Sequence, residues 1–166
     1  MDLKTTLLGG SIISTGLIAG LFYGWSVSVI PGTRRIPASD YVDTMQNINR
    51  AIINPAFILP FMGVPVLLGG AAIVQFRAGD HRRGWLLAGA AGTYVIGVLG
   101  VTIGRNVPLN DALEAFDLSG ADADAVEQRR STYETPWNRW NTVRTLAGVG
   151  SFALASAAAM ASVAET

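Results

Sequence analysis

Trp137, Trp140, Asn141 and Arg144 recur at i, i+3, i+4 and i+7. On an α-helix that spacing puts all four side chains on one face. Two indoles, a carboxamide and a guanidinium are thereby stacked where a long apolar run begins. Such a set suits a flat, oxygenated, lipophilic molecule, whose rings need apolar walls and whose oxygens need a few placed donors. An aromatic belt with a snorkelling arginine would use the same residue types without any ligand. The binding reading gains from a second group of amides on the same side of the membrane. Arg105, Asn106 and Asn110 follow the third apolar run, and Gln46 and Asn49 precede the second.

The elements that must position these residues are legible from charge alone. Residues 5–33, 51–76, 84–104 and 145–164 contain no Asp, Glu, Lys or Arg. A membrane helix needs about 20 apolar residues, and a backbone in lipid must satisfy its own hydrogen bonds. The sequence therefore predicts an all-α protein, a bundle of four transmembrane helices over about 6–30, 55–76, 85–104 and 143–163. The two long connections lie on one side of the membrane. The 166 residues leave room for a single domain, and the first run is too long for a cleaved signal segment, so it is expected as a retained helix.

Composition narrows the chemistry. The chain is 50% hydrophobic and 14% charged, against about 25% charged in a soluble domain. Its net charge is zero, which gives no reason to expect a nucleic acid partner. Cysteine is absent, so disulfides, thiolate catalysis and cysteine-held metals are excluded. The single histidine, His81, falls in a short loop and is expected to be solvated; alone it makes a poor metal or haem ligand. Neither a metal nor an organic cofactor is expected. Asp122, Asp124 and Glu127 read as a solvated helix face.

Small residues give the packing code. Gly16, Gly20, Gly24 and Ser28 form a stripe at four-residue spacing, which fits close packing within the bundle or a homo-oligomer seam. Gly84, Ala88, Gly92, Gly100 and Gly104 repeat the device in the third helix, as do Ala147, Ser151, Ala155 and Ala159 in the fourth. Pro60 and Pro65 should kink or loosen the second helix, and such kinks open cavities.

The first long connection reads as an amphipathic helix over 39–53, capped by Ser39, with Tyr41, Met45, Ile48 and Ile52 on one stripe. Asn54-Pro55 then launches the second span. At Gly104 the third span is expected to end, with Pro108 blocking continuation and Asn110 capping a short helix. Thr135 and Pro136 are expected to start the fourth helix. The dense Arg77, Arg82 and Arg83 loop puts both termini on the cytoplasmic side. Only one lysine, Lys4, stands among the basic residues, and the arginine, Ala and Gly bias points to GC-rich coding. A bacterial cytoplasmic membrane is the expected location.

Asn49 before Asn54-Pro55-x-Phe57, then Asn106-Val107-Pro108-x-Asn110-x-x-Leu113, then Trp137-x-x-Trp140-Asn141-x-x-Arg144 resembles the anthrone-oxygenase-like family of four-helix membrane proteins. The resemblance covers essentially the whole chain. It implies oxidation of a lipophilic aromatic, anthrone-like or quinone-like, by molecular oxygen without a metal or organic cofactor. It also implies roles: Arg144, Asn141 and Asn110 as the oxyanion-binding set, with Trp137 and Trp140 flanking the ring. Asn106, Arg105, Asn49 and Gln46 would complete the substrate site. A base is required, and Asp111, Glu134 and Asp43 are the candidates, since His81 lies across the membrane. The reading from another class is a non-catalytic membrane protein that binds a lipid or small molecule, or a partner subunit, through the same polar mouth.

Overall fold

The computed structural model describes residues 2–161. Five helices account for almost all of them: α1 (Leu3–Thr33), α2 (Ala38–Ala51), α3 (Pro55–Arg77), α4 (His81–Glu114) and α5 (Ala123–Met160). No strand occurs among the described residues. Helices α1, α3, α4 and α5 are each long and apolar enough to cross a bilayer, and the chain is a membrane protein of four spanning helices. The last residues of the fourth expected span, 162 and 163, lie outside the described residues.

The four spans form a ring in which α1 packs on α3 and α5, and α4 packs on the same two. Inside are Leu68, Leu87, Ala90, Tyr94, Val98 and Ala155, all fully buried. Contact between backbones is made mainly by Gly148, whose missing side chain admits Ala19, and by Gly97, which abuts Ala147. The expected glycine stripe of α1 does less. A side chain at Gly16 would press on Phe152, but one at Gly20 or Gly24 would meet nothing within 4 Å. The buried face of α1 runs instead through Ser11, Thr15, Ile18, Ala19 and Phe22.

At 1.5 Å per residue, α4 and α5 are about 50 Å long, whereas the hydrocarbon core is about 30 Å thick. Their surplus turns extend past the membrane on one side and, with α2, build a head. Tyr41, Val42 and Met45 of α2 pack there on Leu113 of α4 and on Val126, Tyr133 and Trp137 of α5. Burial, reinforced by the neighbouring Tyr133 and Glu134, holds the Tyr41 phenol well above its ordinary range, so it stays neutral.

Three expected boundaries are corrected. Helix α2 begins at Ala38 with Pro37 as its cap, and Ser39 sits inside the first turn. Helix α4 does not end at Gly104 but runs to Glu114. Helix α5 begins at Ala123, where Asp122 accepts from the Ala125 N–H at 2.8 Å, and passes straight through Pro136. Asp122 is thus a cap as well as a solvated acid.

The reasons are physical. Each proline removes one helical bond and crowds the carbonyl four residues back. Before Pro108, residues Thr102–Asn106 widen into a π-helical turn, with the Val107 N–H reaching the Thr102 carbonyl. The same device precedes Pro31, where Trp25–Val29 is π-helical and Ile30 reaches back to Trp25. A wider turn shifts the carbonyl the ring would hit, and the helix continues. At Pro65 the orphaned acceptor is the Phe61 carbonyl, which receives the Tyr94 hydroxyl at 3.0 Å. At Pro136 it is the packing of Val126, Tyr133 and Trp137 into the head core that outweighs the proline's cost of about 3 kcal/mol.

Candidate functional site

Between the head and the spans lies a cavity of about 460 Å³. Its walls are apolar: Leu21, Phe22 and Trp25 of α1, Ile48 of α2 and Ile52 just past its end, Phe57 and Phe61 of α3, and Leu99 and Ile103 of α4. The α3 wall flanks Pro60, so the cavity does sit beside the proline-bearing turn. Polar groups come from three helices, with Asn49 and Arg50 supplied by α2. Thr102, Asn110, Asp111 and Glu114 descend along α4, and Trp137, Asn141 and Arg144 along α5.

Arg144 stands at the membrane-ward end and is only 6% exposed. Its terminal nitrogens donate to the Asn141 Oδ1 at 3.0 Å and the Thr102 Oγ1 at 3.3 Å. Its guanidinium lies 4.5 Å from the Phe22 ring centre and 5.2 Å from that of Trp137. Its Nε is buried and unpaired, and no carboxylate reaches it among the described residues. A cation inside a membrane protein normally pairs with an anion or faces a water-filled space. Among the described residues Arg144 has neutral partners only, so its charge is not balanced by a neighbouring anion.

Asn141 is spent on holding Arg144. One end of its amide accepts from the guanidinium; the other donates to the Ser26 Oγ at 3.0 Å. Ser26 in turn bonds Thr145 at 3.0 Å. Both amide ends are therefore fixed by protein groups.

Asn110 is different. Its Oδ1 accepts two bonds, from the Trp137 Nε1 at 2.8 Å and the Tyr133 hydroxyl at 2.9 Å. The Tyr133 hydroxyl accepts from Asn49 at 3.2 Å. That fixes the orientation of the Asn110 amide and leaves its two N–H donors without a protein partner among the described residues. Asn110 lines the cavity, so those donors are the second polar handle.

Three of the carboxylates can be sorted by pairing. Glu114 lines the cavity but bonds Arg50 at 2.8 Å. Glu134 bonds Arg130 at 2.7 Å and lies elsewhere. Asp43 accepts from Asn47 on the exposed face of α2. Among the three candidate bases, Asp111 alone lines the cavity. From Thr102 to Asp111 the helix rises about 13 Å.

Five of the nine residues singled out in the sequence meet at the cavity: Arg144, Asn141, Asn110, Trp137 and Asn49. The other four do not. Trp140 turns away and stacks on Arg105, whose guanidinium lies 5.1 Å from its ring centre. Gln46 ties α2 to the end of α4, donating to the Leu113 and Phe116 carbonyls at 2.9 and 3.0 Å. Asn106 is buried against α5, donating to the Trp137 carbonyl at 3.4 Å. Trp25 of α1 lines the cavity instead, 5.6 Å from Trp137 between ring centres. Nothing in the periodicity of α1 marked Trp25; the signal was its place six residues before Pro31, in the widened turn.

The family described as anthrone oxygenase matches residues 54–154, from the cap of α3 to the inner half of α5. The chain belongs to that family. The match includes Asn110, Asp111, Trp137, Asn141 and Arg144 and leaves out α1 and α2. No curated protein and no solved structure matches the chain.

Proposed function

We propose that this member of the anthrone oxygenase family oxidises a planar, lipophilic hydroxy-aromatic of the anthrone or quinol type with dioxygen. The observation that carries the reading is Arg144: a buried guanidinium without a carboxylate partner among the described residues, at the closed end of an apolar cavity. An anthrone has an acidic C–H opposite its carbonyl. Asp111 takes that proton, and the enolate oxygen rests on Arg144, oriented by Asn141, in a dry site where the charge is strongly stabilised. Trp137 and Trp25 hold the rings, and Asn110 donates to a further ring oxygen.

The electron-rich carbanion then reduces dioxygen directly. An anthrone's CH₂ loses two hydrogens and gains one oxygen atom as a carbonyl, and the second oxygen leaves as water; a quinol instead passes its two hydrogens to dioxygen, which leaves as hydrogen peroxide, so either sum balances without a cofactor. Entry is from the lipid. Ile53, Ile58, Met62, Ile103 and Val107 edge the cavity and are exposed apolar residues. The termini are assigned to the cytoplasmic side of a bacterial membrane on the arginine density of the 77–83 loop.

The test is oxygen uptake by detergent-purified, metal-stripped protein offered a panel of anthrones and hydroquinones. Uptake that survives chelation and falls by about 100-fold or more in Arg144→Ala supports the reading, as expected for loss of an oxyanion donor. Folded protein that binds the panel without consuming oxygen would move the assignment to a binding or partner role.

A further inference from the structure

A second pocket, of about 370 Å³, lies on the outside of the ring where α1 leaves the membrane beside α5. It has a character opposite to that of the cavity. Arg34, Thr135, Asn138, Arg139 and Thr142 surround it, with Ile30 and Pro31 beneath. Glu134 also lines it, but that carboxylate is held by Arg130 at 2.7 Å. The side chains of Arg34, Thr135, Asn138 and Arg139 form no hydrogen bond or ion pair among the described residues. Arg139 only approaches the Trp140 ring, 6.0 Å from its centre. Two unpaired cations and two uncharged donors thus converge at the level where headgroups lie.

The faces below the pocket are apolar. On α1, Tyr23 and Val27 precede Arg34 at helical spacing and are more than half exposed; on α5, Val143 and Leu146 follow Arg139 at the same spacing and are 36% and 69% exposed. A free phosphate would use the donors and ignore those stripes. A phospholipid would use both.

We infer that this pocket binds the headgroup of an anionic phospholipid, its phosphate between Arg34 and Arg139 and its acyl chains along the α1–α5 faces. Each arginine at the membrane surface adds to the attraction of an anionic headgroup, and with the termini cytoplasmic this pocket draws its lipid from the outer leaflet. The pocket also touches the functional network. Ser26 lines it and is the residue that accepts from Asn141, which in turn orients Arg144.

The experiment is native mass spectrometry of the full chain released from detergent, loaded with phosphatidylglycerol or phosphatidylcholine. Wild type should retain phosphatidylglycerol in preference, and each arginine should contribute about fivefold to that preference. Arg34→Gln and Arg139→Gln singly, and together, should remove it stepwise. Arg77→Gln with Arg82→Gln carries the same charge change at the other end and should leave it intact. Equal retention of both lipids, or equal loss in the control pair, would overturn the site. Displacement of the lipid by millimolar inorganic phosphate, or phosphate retention without lipid, would overturn the lipid and leave an anion site. Should the double variant fail to fold, the single variants decide.

Discussion

The same four helices behave differently at their two ends. Toward the loop at Ala78–Asp80, the ring is sealed by small side chains and buried apolar ones: Leu68, Ala72, Leu87, Ala90 and Ala155 leave no space, and Ser151 ties α5 to α4 through the Ala90 carbonyl at 2.8 Å. Toward the head, the ring holds a cavity and three polar residues with no carboxylate among them, Arg144, Asn141 and Thr145, all buried. The backbone differs in step. The closed end is regular α-helix, whereas three π-helical stretches, Trp25–Val29, Val95–Gly100 and Thr102–Asn106, run up to the cavity. Widened turns re-aim side chains, and here they aim Trp25 and Thr102 inward. The membrane portion of this protein is therefore a clamp at one end and a socket at the other.

If that division is right, the two ends should fail in different ways. The largest effect is expected from Asp111→Asn. Loss of a general base lowers kcat by about 10²- to 10⁴-fold, whereas Glu114→Gln, already paired with Arg50, should cost only a few-fold. Turnover with an anthrone, measured for both variants in detergent, checks the contrast; equal losses would remove Asp111 as the base. At the closed end, Leu68→Ala should cost about 2–5 kcal/mol of stability through the cavity it leaves. Thermal unfolding should reveal that loss while the KM of folded protein stays unchanged. A variant that kept its stability and lost its affinity would break the comparison.

The clamp was far more legible in the sequence than the socket. Four uncharged runs sufficed to give the spans, because the bilayer forces apolar side chains and helical backbone together. The face of Trp137, Asn141 and Arg144 followed from helical spacing, and the cavity collects those three. What spacing could not give was which residues a face meets. Trp140 shares the i, i+3 relation with Trp137, yet a rotation of about 300° between them leaves it beside Arg105 instead. Gln46 and Asn106 looked like site amides because amides serve ligands and helix ends alike. The continuation of α4 past Gly104 and of α5 through Pro136 was hidden because local signals favour a stop at both places. The π-helical turn and the head core override them, and both are products of tertiary packing.

The entrance is the next place to sharpen the comparison. Ile103 is 61% exposed at the edge of the cavity. Ile103→Trp should narrow the way in from lipid and raise KM about tenfold with little change in kcat. Ile96, about two turns nearer the closed end on the same helix and 75% exposed, does not line the cavity, and Ile96→Trp should be neutral. Steady-state kinetics in nanodiscs separate the two. A shift of kcat alone would place Ile103 in the chemistry rather than at the door.

The two tryptophans of α5 discriminate most finely. Trp137→Phe keeps a ring in the wall but deletes the Nε1–H that Asn110 accepts at 2.8 Å. Asn110 then keeps only the Tyr133 hydroxyl, its amide is free to turn, and a loss of about 5- to 20-fold in kcat/KM is expected for one buried hydrogen bond. Trp140→Phe keeps an aromatic face for Arg105 outside the cavity, so its kcat/KM should stay within about twofold of wild type. Measured side by side on one substrate, the pair asks whether the site is set by the helical repeat or by the cavity. Equal losses would return Trp140 to the ring wall and require the substrate to reach beyond the space between Arg144 and Asp111.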